Sequence, residues 1–398
     1  MPLTEKTFDA YNIADLREIA RNRLPKVLFE FGDRGTEDEV SLRNNRTAFE
    51  RLRFRTRTLV DVSKRNQEIT LFGKRQKMPV CIAPTGLAGL WWHEGELALA
   101  RAAAAAGVPF TLATGSMTAM EKVVAEAGGT LWFQLYMWPD RKMSYELVDR
   151  AKASNFEALF LTADGAAPGN REYNIRNGFA VPFRFTKRNV VDVMMHPRWF
   201  LTVLARYLTT TGMPRYENYP GNLRKTIMER PLSRQMLRND SLNWDDLREL
   251  RKRWPNALVV KGILHPEDAI KAADCGADGV VVSNHGGRNL DGSMAPLEAL
   301  PRIVDAVGNR MTVFVDGGFR RGTDIAKGLA LGAKAVLLGR STLYGVAAGG
   351  QDGAARVFDI FHEELDRVMA LLGVCGIEEL TKEYLYESTT PLLVSEKH

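Results

Sequence analysis

Ser283-Asn284-His285-Gly286-Gly287-Arg288-Asn289 directly follows the apolar run Val280–Val282. An imidazole acts as a base near neutral pH, and a guanidinium grips a carboxylate through two parallel N–H donors. On one glycine-flexed loop at a strand end, His285 and Arg288 suit removal of a proton from a substrate held by its acid group. A lone histidine is more often a satisfied loop residue. The glycine pair, straight after a strand, is what argues for chemistry here.

A second group is Asp316-Gly317-Gly318-Phe319-Arg320-Arg321-Gly322, followed by Gly339-Arg340. Both lie at the ends of apolar runs. Backbone N–H groups freed by glycine, a helix N-terminus and nearby arginines are how barrels hold a phosphate. Lys261 closes the run Val259-Val260. A lysine there is a Schiff-base nucleophile or a cation beside an anionic cofactor. Arg171, in Gly169-Asn170-Arg171-Glu172, is a second carboxylate ligand by type, and Gln134, Tyr136 and Thr162 also stand at strand ends.

These groups need elements to bring them together. From about residue 78, short apolar runs alternate with helical patterns. The strands expected are Pro79–Ala83, Pro109–Ala113, Leu131–Leu135, Ala158–Thr162, Leu258–Val260, Gly279–Ser283, Thr312–Val315 and Ala335–Leu338. Helices are expected over Glu94–Ala106, Ser144–Ala153, Trp244–Arg253, Pro266–Ala273 and Thr323–Leu331. Eight strands alternating with helices predict an α/β fold, a closed (β/α)8 TIM barrel. The alternative, an open doubly wound sheet, would carry a glycine fingerprint after its first strand, where this chain has Ala83-Pro84-Thr85-Gly86.

Residues 1–77 read as an N-terminal helical cap, 78–385 as the barrel and 386–398 as a C-terminal tail. A long insertion after strand 4, residues 165–241, leaves the catalytic face. Within it, residues 182–238 hold eleven Lys and Arg against three Asp and Glu, a local +8 that leaves −2 for the rest of the +6 chain. A generally basic nucleic-acid binder is thereby excluded.

With 45% hydrophobic and 26% charged residues in 398, the composition excludes a disordered chain, a collagen-like fibre and a polytopic membrane protein. Cys81, Cys275 and Cys375 lack the spacing of a disulfide framework or a zinc site. No metal is expected. The opening MPLTEKTFDAYN has no signal-peptide pattern. The expected location is the cytoplasm, or the cytoplasmic face of a membrane.

From Leu24-Pro25-Lys26 to about Leu385, the chain resembles the FMN-dependent 2-hydroxy acid dehydrogenases and oxidases of the glycolate oxidase and flavin lactate dehydrogenase type. The motifs are Ser283–Arg288 with Asp291, Asp316–Gly322, Leu331-Gly332-Ala333 and Leu338-Gly339-Arg340. Arg23-Leu24-Pro25-Lys26, Pro84-Thr85-Gly86-Leu87, Trp132-Phe133-Gln134-Leu135-Tyr136 and His196-Pro197-Arg198-Trp199 resemble the (S)-mandelate dehydrogenase branch.

The resemblance implies FMN as cofactor and a small 2-hydroxy acid, aryl and mandelate-like, as substrate. It implies His285 as the base, with Asp291 pairing with it. Arg288 and Arg171 would bind the substrate carboxylate and Tyr136 a substrate oxygen. Lys261 and Ser283 would stand beside the flavin, Pro84, Thr85, Gly86, Gln134 and Thr162 around its ring, and Asp316, Gly318, Arg320, Gly339 and Arg340 along its ribityl phosphate. It further implies a quinone or other membrane electron acceptor, a homotetramer, and attachment of 182–238 to an anionic membrane surface.

There are departures. Phe31 stands where the family has a tyrosine that helps bind the carboxylate; a hydrogen bond to a charged group is worth about 1.5–3 kcal/mol. Ala113 replaces a flavin-contacting serine. Gly115 replaces a tryptophan of short-chain oxidases and implies a roomier pocket. Gly86 replaces the alanine of many oxidases and implies dehydrogenase behaviour. The alternatives are a flavin-binding barrel whose substrate is altered or activity lost through Phe31 and Ala113, an oxidase using dioxygen, or an unrelated phosphate-binding isomerase or aldolase with Lys261 as nucleophile.

Overall fold

A computed structural model describes residues 9–179, 186–229 and 240–387. Asn12 starts the first helix, Ile13–Arg23, by accepting hydrogen bonds from the Ala14 and Asp15 N–H groups, the usual way to satisfy free donors at a helix start. Helices Lys26–Asp33 and Val40–Arg51 follow, then a short strand β1, Leu52–Phe54. Strands β2 (Ile69–Leu71) and β3 (Lys74–Gln76) form a hairpin turned at Phe72-Gly73.

Eight parallel strands then close into a barrel: β4 (Val80–Ile82), β5 (Phe110–Ala113), β6 (Leu131–Leu135), β7 (Ala158–Thr162), β8 (Ala257–Ile263), β9 (Gly279–Val282), β10 (Thr312–Val315) and β11 (Ala335–Leu338). They neighbour in chain order, and β11 returns to β4 through the pairs Val336–Val80, Leu337–Cys81 and Leu338–Ile82. Strands covered on both faces read as near-continuous apolar runs, which is why the runs were legible as strands. Inside, Trp132 stacks on Phe160 at 5.2 Å, and Phe314 meets both rings. Phe72, at the hairpin turn, lies 5.8 Å from Trp132 and 5.9 Å from Phe314. The hairpin thus plugs the barrel at the end away from the catalytic loops.

β8 runs longer than expected. Its pairing with β9 shifts register between Lys261 and Ile263, across Gly262 at φ +106°. This is a bulge that bends the strand end and re-aims its side chains.

The helix Arg340–Leu372 is kinked at Gly349 and Gly350 and packs on Ile13–Arg23 and Gly95–Ala106. Strand β12, Leu385–Glu387, pairs antiparallel with β1, Leu52 opposite Glu387. Residues Tyr386 and Glu387, read as tail, are therefore part of a ladder; 388–398 lie outside the described residues.

In the insertion, Thr186 caps the helix Lys187–Met195. Pro197–Trp199 continues through a wide turn, Phe200–Leu204, into Ala205–Thr210. Trp199 Nε1 donates to the Leu90 carbonyl at 2.7 Å, and the Tyr207 hydroxyl accepts from the Glu94 N–H at 3.0 Å. These two anchors dock the insertion on the barrel. Val191, Met194, Met195 and Leu201 stay more than half exposed. Of the basic stretch, 182–185 and 230–238, with Arg184, Arg230, Arg234 and Arg238, lie outside the described residues.

Candidate active site

The C-terminal ends of the barrel strands open into one cavity of about 280 Å³. Its walls include Phe31, Pro84, Thr85, Gly86, Ala113, Gly115, Gln134, Tyr136, Thr162, Arg171, Lys261, His285 and Arg288. Asp316, Gly318, Arg320, Gly339 and Arg340 line it as well. Ser283 lies just beneath, fully buried, and accepts from Lys261 Nζ at 2.8 Å. The residues singled out in the sequence thus converge, with the exception of Asp291.

Asp291 does not reach His285. Its carboxylate accepts from the Val40 and Ser41 N–H groups at 3.1 and 2.7 Å, serving the start of the helix Val40–Arg51. The partner of His285 is Asp164: Nδ1 of the imidazole lies 2.9 Å from Asp164 Oδ1. Sequence reasoning passed over Asp164. Its signal was position, two residues past β7 and on the catalytic face. Gly262 makes the approach possible, since a Cβ there would lie 2.5 Å from the Asp164 Cβ. The bulge in β8 therefore creates the space that the carboxylate uses.

His285 sits at φ +57°, an uncommon value for a non-glycine residue. Gly286 and Gly287 continue at +65° and +72°. The loop is clamped from the cap: Asn45 and Asn284 exchange amide hydrogen bonds at 2.9 and 2.7 Å, both buried. Asn284 Oδ1 also accepts from the Gly287 N–H at 3.1 Å. The Tyr136 hydroxyl stands 3.4 Å from His285 Nε2.

Burial lowers the His285 pKa, and Asp164 only partly offsets this, so the ring is neutral at neutral pH. Burial works against the charge on Asp164, but His285 and Lys261 outweigh it and hold the carboxyl below the usual range. Burial works against the charge on Lys261, but Asp316, at 3.1 Å, and Asp164 outweigh it and raise the lysine.

Arg171, Arg288, Arg320 and Arg340 form no ion pair among the described residues. Arg288 Nη1 donates to the Phe31 carbonyl at 2.7 Å, and Arg340 donates to the Gly32, Gly286 and Arg34 carbonyls. Arg171 Nε donates to the Arg288 carbonyl. Burial, then the charges of Arg171 and Arg340, bring Arg288 down to about 9. Half-buried cations that press on one another favour a site that takes anions.

The glycine-rich side of the cavity fits an elongated phosphate-bearing group. The Arg320 side chain makes no hydrogen bond among the described residues, and Asp316 Oδ1 is buried without a partner. Gly317 and Gly318 turn at φ +94° and +89°. A Cβ at Gly339 would meet nothing closer than 3.9 Å, directly before the helix that begins at Arg340. Together these provide charge, a free acceptor for hydroxyls and open backbone in the same cavity.

Residues 20–387 match the family of FMN-dependent dehydrogenases. (S)-Mandelate dehydrogenase of Pseudomonas putida is 43% identical over 377 residues, covering 94% of this chain and 93% of that protein. L-Lactate dehydrogenase of Caulobacter vibrioides is 41% identical, covering 94% and 97%. A crystal structure of the monotopic membrane protein (S)-mandelate dehydrogenase superposes with a TM-score of 0.90 at 42% identity, covering 96% of this chain and 100% of that one. The chain belongs to the FMN-dependent dehydrogenase family. Within it, the chain is an FMN-dependent 2-hydroxy acid dehydrogenase or oxidase, and FMN is its cofactor. Among the described residues, no helix is long and apolar enough to cross a membrane.

Proposed function

We propose that the protein oxidises a 2-hydroxy acid with an aryl or similarly large apolar side group to the 2-oxo acid, and passes the electrons to a quinone-class acceptor. The observation that carries this reading is that His285, held by Asp164, lines the same cavity as Arg171 and Arg288, two half-buried arginines with no ion pair among the described residues. Asp164 can only accept from Nδ1, so that nitrogen carries the proton and Nε2 is free to act as base. Arg288 and Arg171 hold the substrate carboxylate, and Tyr136 holds the oxygen beside Nε2. A Cβ on Gly115 would meet nothing within 4 Å, which supports room for a bulky side group.

FMN, when bound, supplies the two-electron acceptor. Lys261, Ser283, Gln134, Thr162 and the Pro84–Gly86 backbone would hold its ring; Asp316, Gly318, Arg320, Gly339 and Arg340 would hold its ribityl phosphate. Lys261, kept protonated by Asp316, offers a fixed positive charge there.

The exposed apolar side chains of the insertion, flanked by Lys187, Arg188 and Arg198, support peripheral attachment to an anionic bilayer from the cytoplasmic side. A homotetramer is part of the same reading; sedimentation at the mass of one chain would remove it. The deciding experiment is anaerobic bleaching of the yellow protein by a panel of 2-hydroxy acids that includes (S)-mandelate. Bleaching is expected, with loss in His285→Ala. No bleaching by any aryl or aliphatic 2-hydroxy acid would leave only a flavin-binding barrel, the second reading that Phe31 and Ala113 favour.

A further inference from the structure

A second cavity, of about 260 Å³, lies between the insertion and the cap helix Lys26–Asp33. It shares two wall residues, Leu87 and Tyr216, with the catalytic cavity. Beside that wall, Phe31 on the catalytic side and Phe179 on the other face each other at 4.6 Å. Apart from Asn189 and the Tyr216 hydroxyl, the lining is aliphatic, thioether or aromatic. At the far end, Val190, Met194 and Phe200 line the cavity while remaining 47%, 75% and 38% exposed. They belong to the exposed apolar patch of the insertion. One end of the cavity thus opens on an apolar surface, and the other abuts the redox site.

Such a lining offers water too few polar partners and offers a carboxylate no counter-charge. Arg171 and Arg288 line only the catalytic cavity, so a 2-hydroxy acid has no anchor here. We propose that this second cavity binds the electron acceptor, an alkyl-substituted quinone that enters from the apolar patch. The inference rests on the function proposed above and places its second substrate. The atoms balance: a 2-hydroxy acid loses two electrons and two protons on becoming a 2-oxo acid. The electrons cross the Leu87–Tyr216 wall. The protons leave through the catalytic cavity, and the quinone takes up two from water at its mouth to become the quinol.

The test uses the FMN-loaded full chain in detergent solution, so that vesicle attachment does not enter. A decyl-substituted benzoquinone and ferricyanide serve in turn as acceptors. Val193→Trp fills the cavity from the insertion helix. Met194→Glu sets a charge at the exposed mouth, where folding tolerates it. Each is expected to lower kcat/KM for the quinone by about tenfold or more, while anaerobic bleaching by the 2-hydroxy acid and turnover with ferricyanide stay within about twofold. Quinone binding to the oxidised protein, read by quenching of tryptophan fluorescence, weakens in parallel. An equal loss of bleaching would assign the cavity to the 2-hydroxy acid side chain and overturn the proposal, as would unchanged quinone kinetics and binding in both variants. Should no 2-hydroxy acid bleach the unaltered protein, the function proposed above fails, and the quenching titration still decides the cavity.

Discussion

Nδ1 of His285 lies 2.9 Å from Oδ1 of Asp164. One residue comes from the loop after β9 and the other from the loop after β7. The carboxylate fixes which nitrogen bears the proton and supports the charge that develops when Nε2 takes another.

Asp164→Asn keeps the shape but removes that support. The bleaching rate is expected to fall about 10²-fold or more. Its pH dependence gives a sharper check. If His285 is the base, as proposed, it must be neutral, so the rate is expected to rise with pH through the His285 pKa, which lies below its ordinary value. Asp164 is a group that raises this pKa. Removing its charge therefore moves the acid limb to lower pH. A limb that moved upward would contradict the pairing.

Lys261 and Asp316 are a buried pair, their side chains 6% and 10% exposed. Removing one partner strands the other charge, at a cost of about 3–5 kcal/mol. Lys261→Met should therefore lower the melting temperature and the FMN content. Adding Asp316→Asn should restore most of the melting temperature but not bleaching. If the double variant melts no higher than the single one, the pair is not what holds this end of β8.

Phe31→Tyr tests the missing hydroxyl. The Arg288 guanidinium lies 5.2 Å from the Phe31 ring centroid, so a phenol would join the cations proposed to hold the substrate carboxylate. A gain of about 1.5–3 kcal/mol corresponds to a KM lowered about ten- to a hundredfold. An unchanged or higher KM would mean that the pocket is built around a different substrate group.

Membrane attachment is better tested by point charges than by deleting 182–238. Trp199 and Tyr207 are buried against the barrel, and removing them would uncover Leu90 and its neighbours. Met195 and Leu201 are 74% and 64% exposed and line neither cavity. Met195→Glu with Leu201→Glu should abolish flotation on anionic vesicles and leave ferricyanide turnover intact. Flotation equal to that of the unaltered protein would remove the membrane reading.

The barrel was legible because each strand is covered on both faces and so appears as a mostly apolar run. β8 was read too short: Lys261 and Gly262 interrupt its apolar run, and the bulge at Gly262 that carries it on to Ile263 has no signature in the local pattern. His285 and Arg288 were legible because glycines isolate them at a strand end. Asp291 misled because nearness in sequence was taken for nearness in space; the loop turns its carboxylate toward the helix Val40–Arg51. Asp164 was hidden for the opposite reason. A carboxylate in a loop has no distinguishing neighbours of its own, and only closure of the barrel brings it to His285.

The ladder between β1 and β12 bears on how the protein is made. Leu52 has its partner in Glu387, so a ribosome must deliver nearly the whole sequence before β1 can pair. By then every barrel strand has emerged, and the cap helix Val40–Arg51 can already hold the barrel through Asn45 to Asn284, Ser41 to Asp291 and Arg46 to Asp324. The barrel and its braced loop can therefore form as synthesis proceeds, and the β1–β12 ladder is the contact left for last. A nascent chain stalled between β11 and β12 would thus lack the ladder but not the brace.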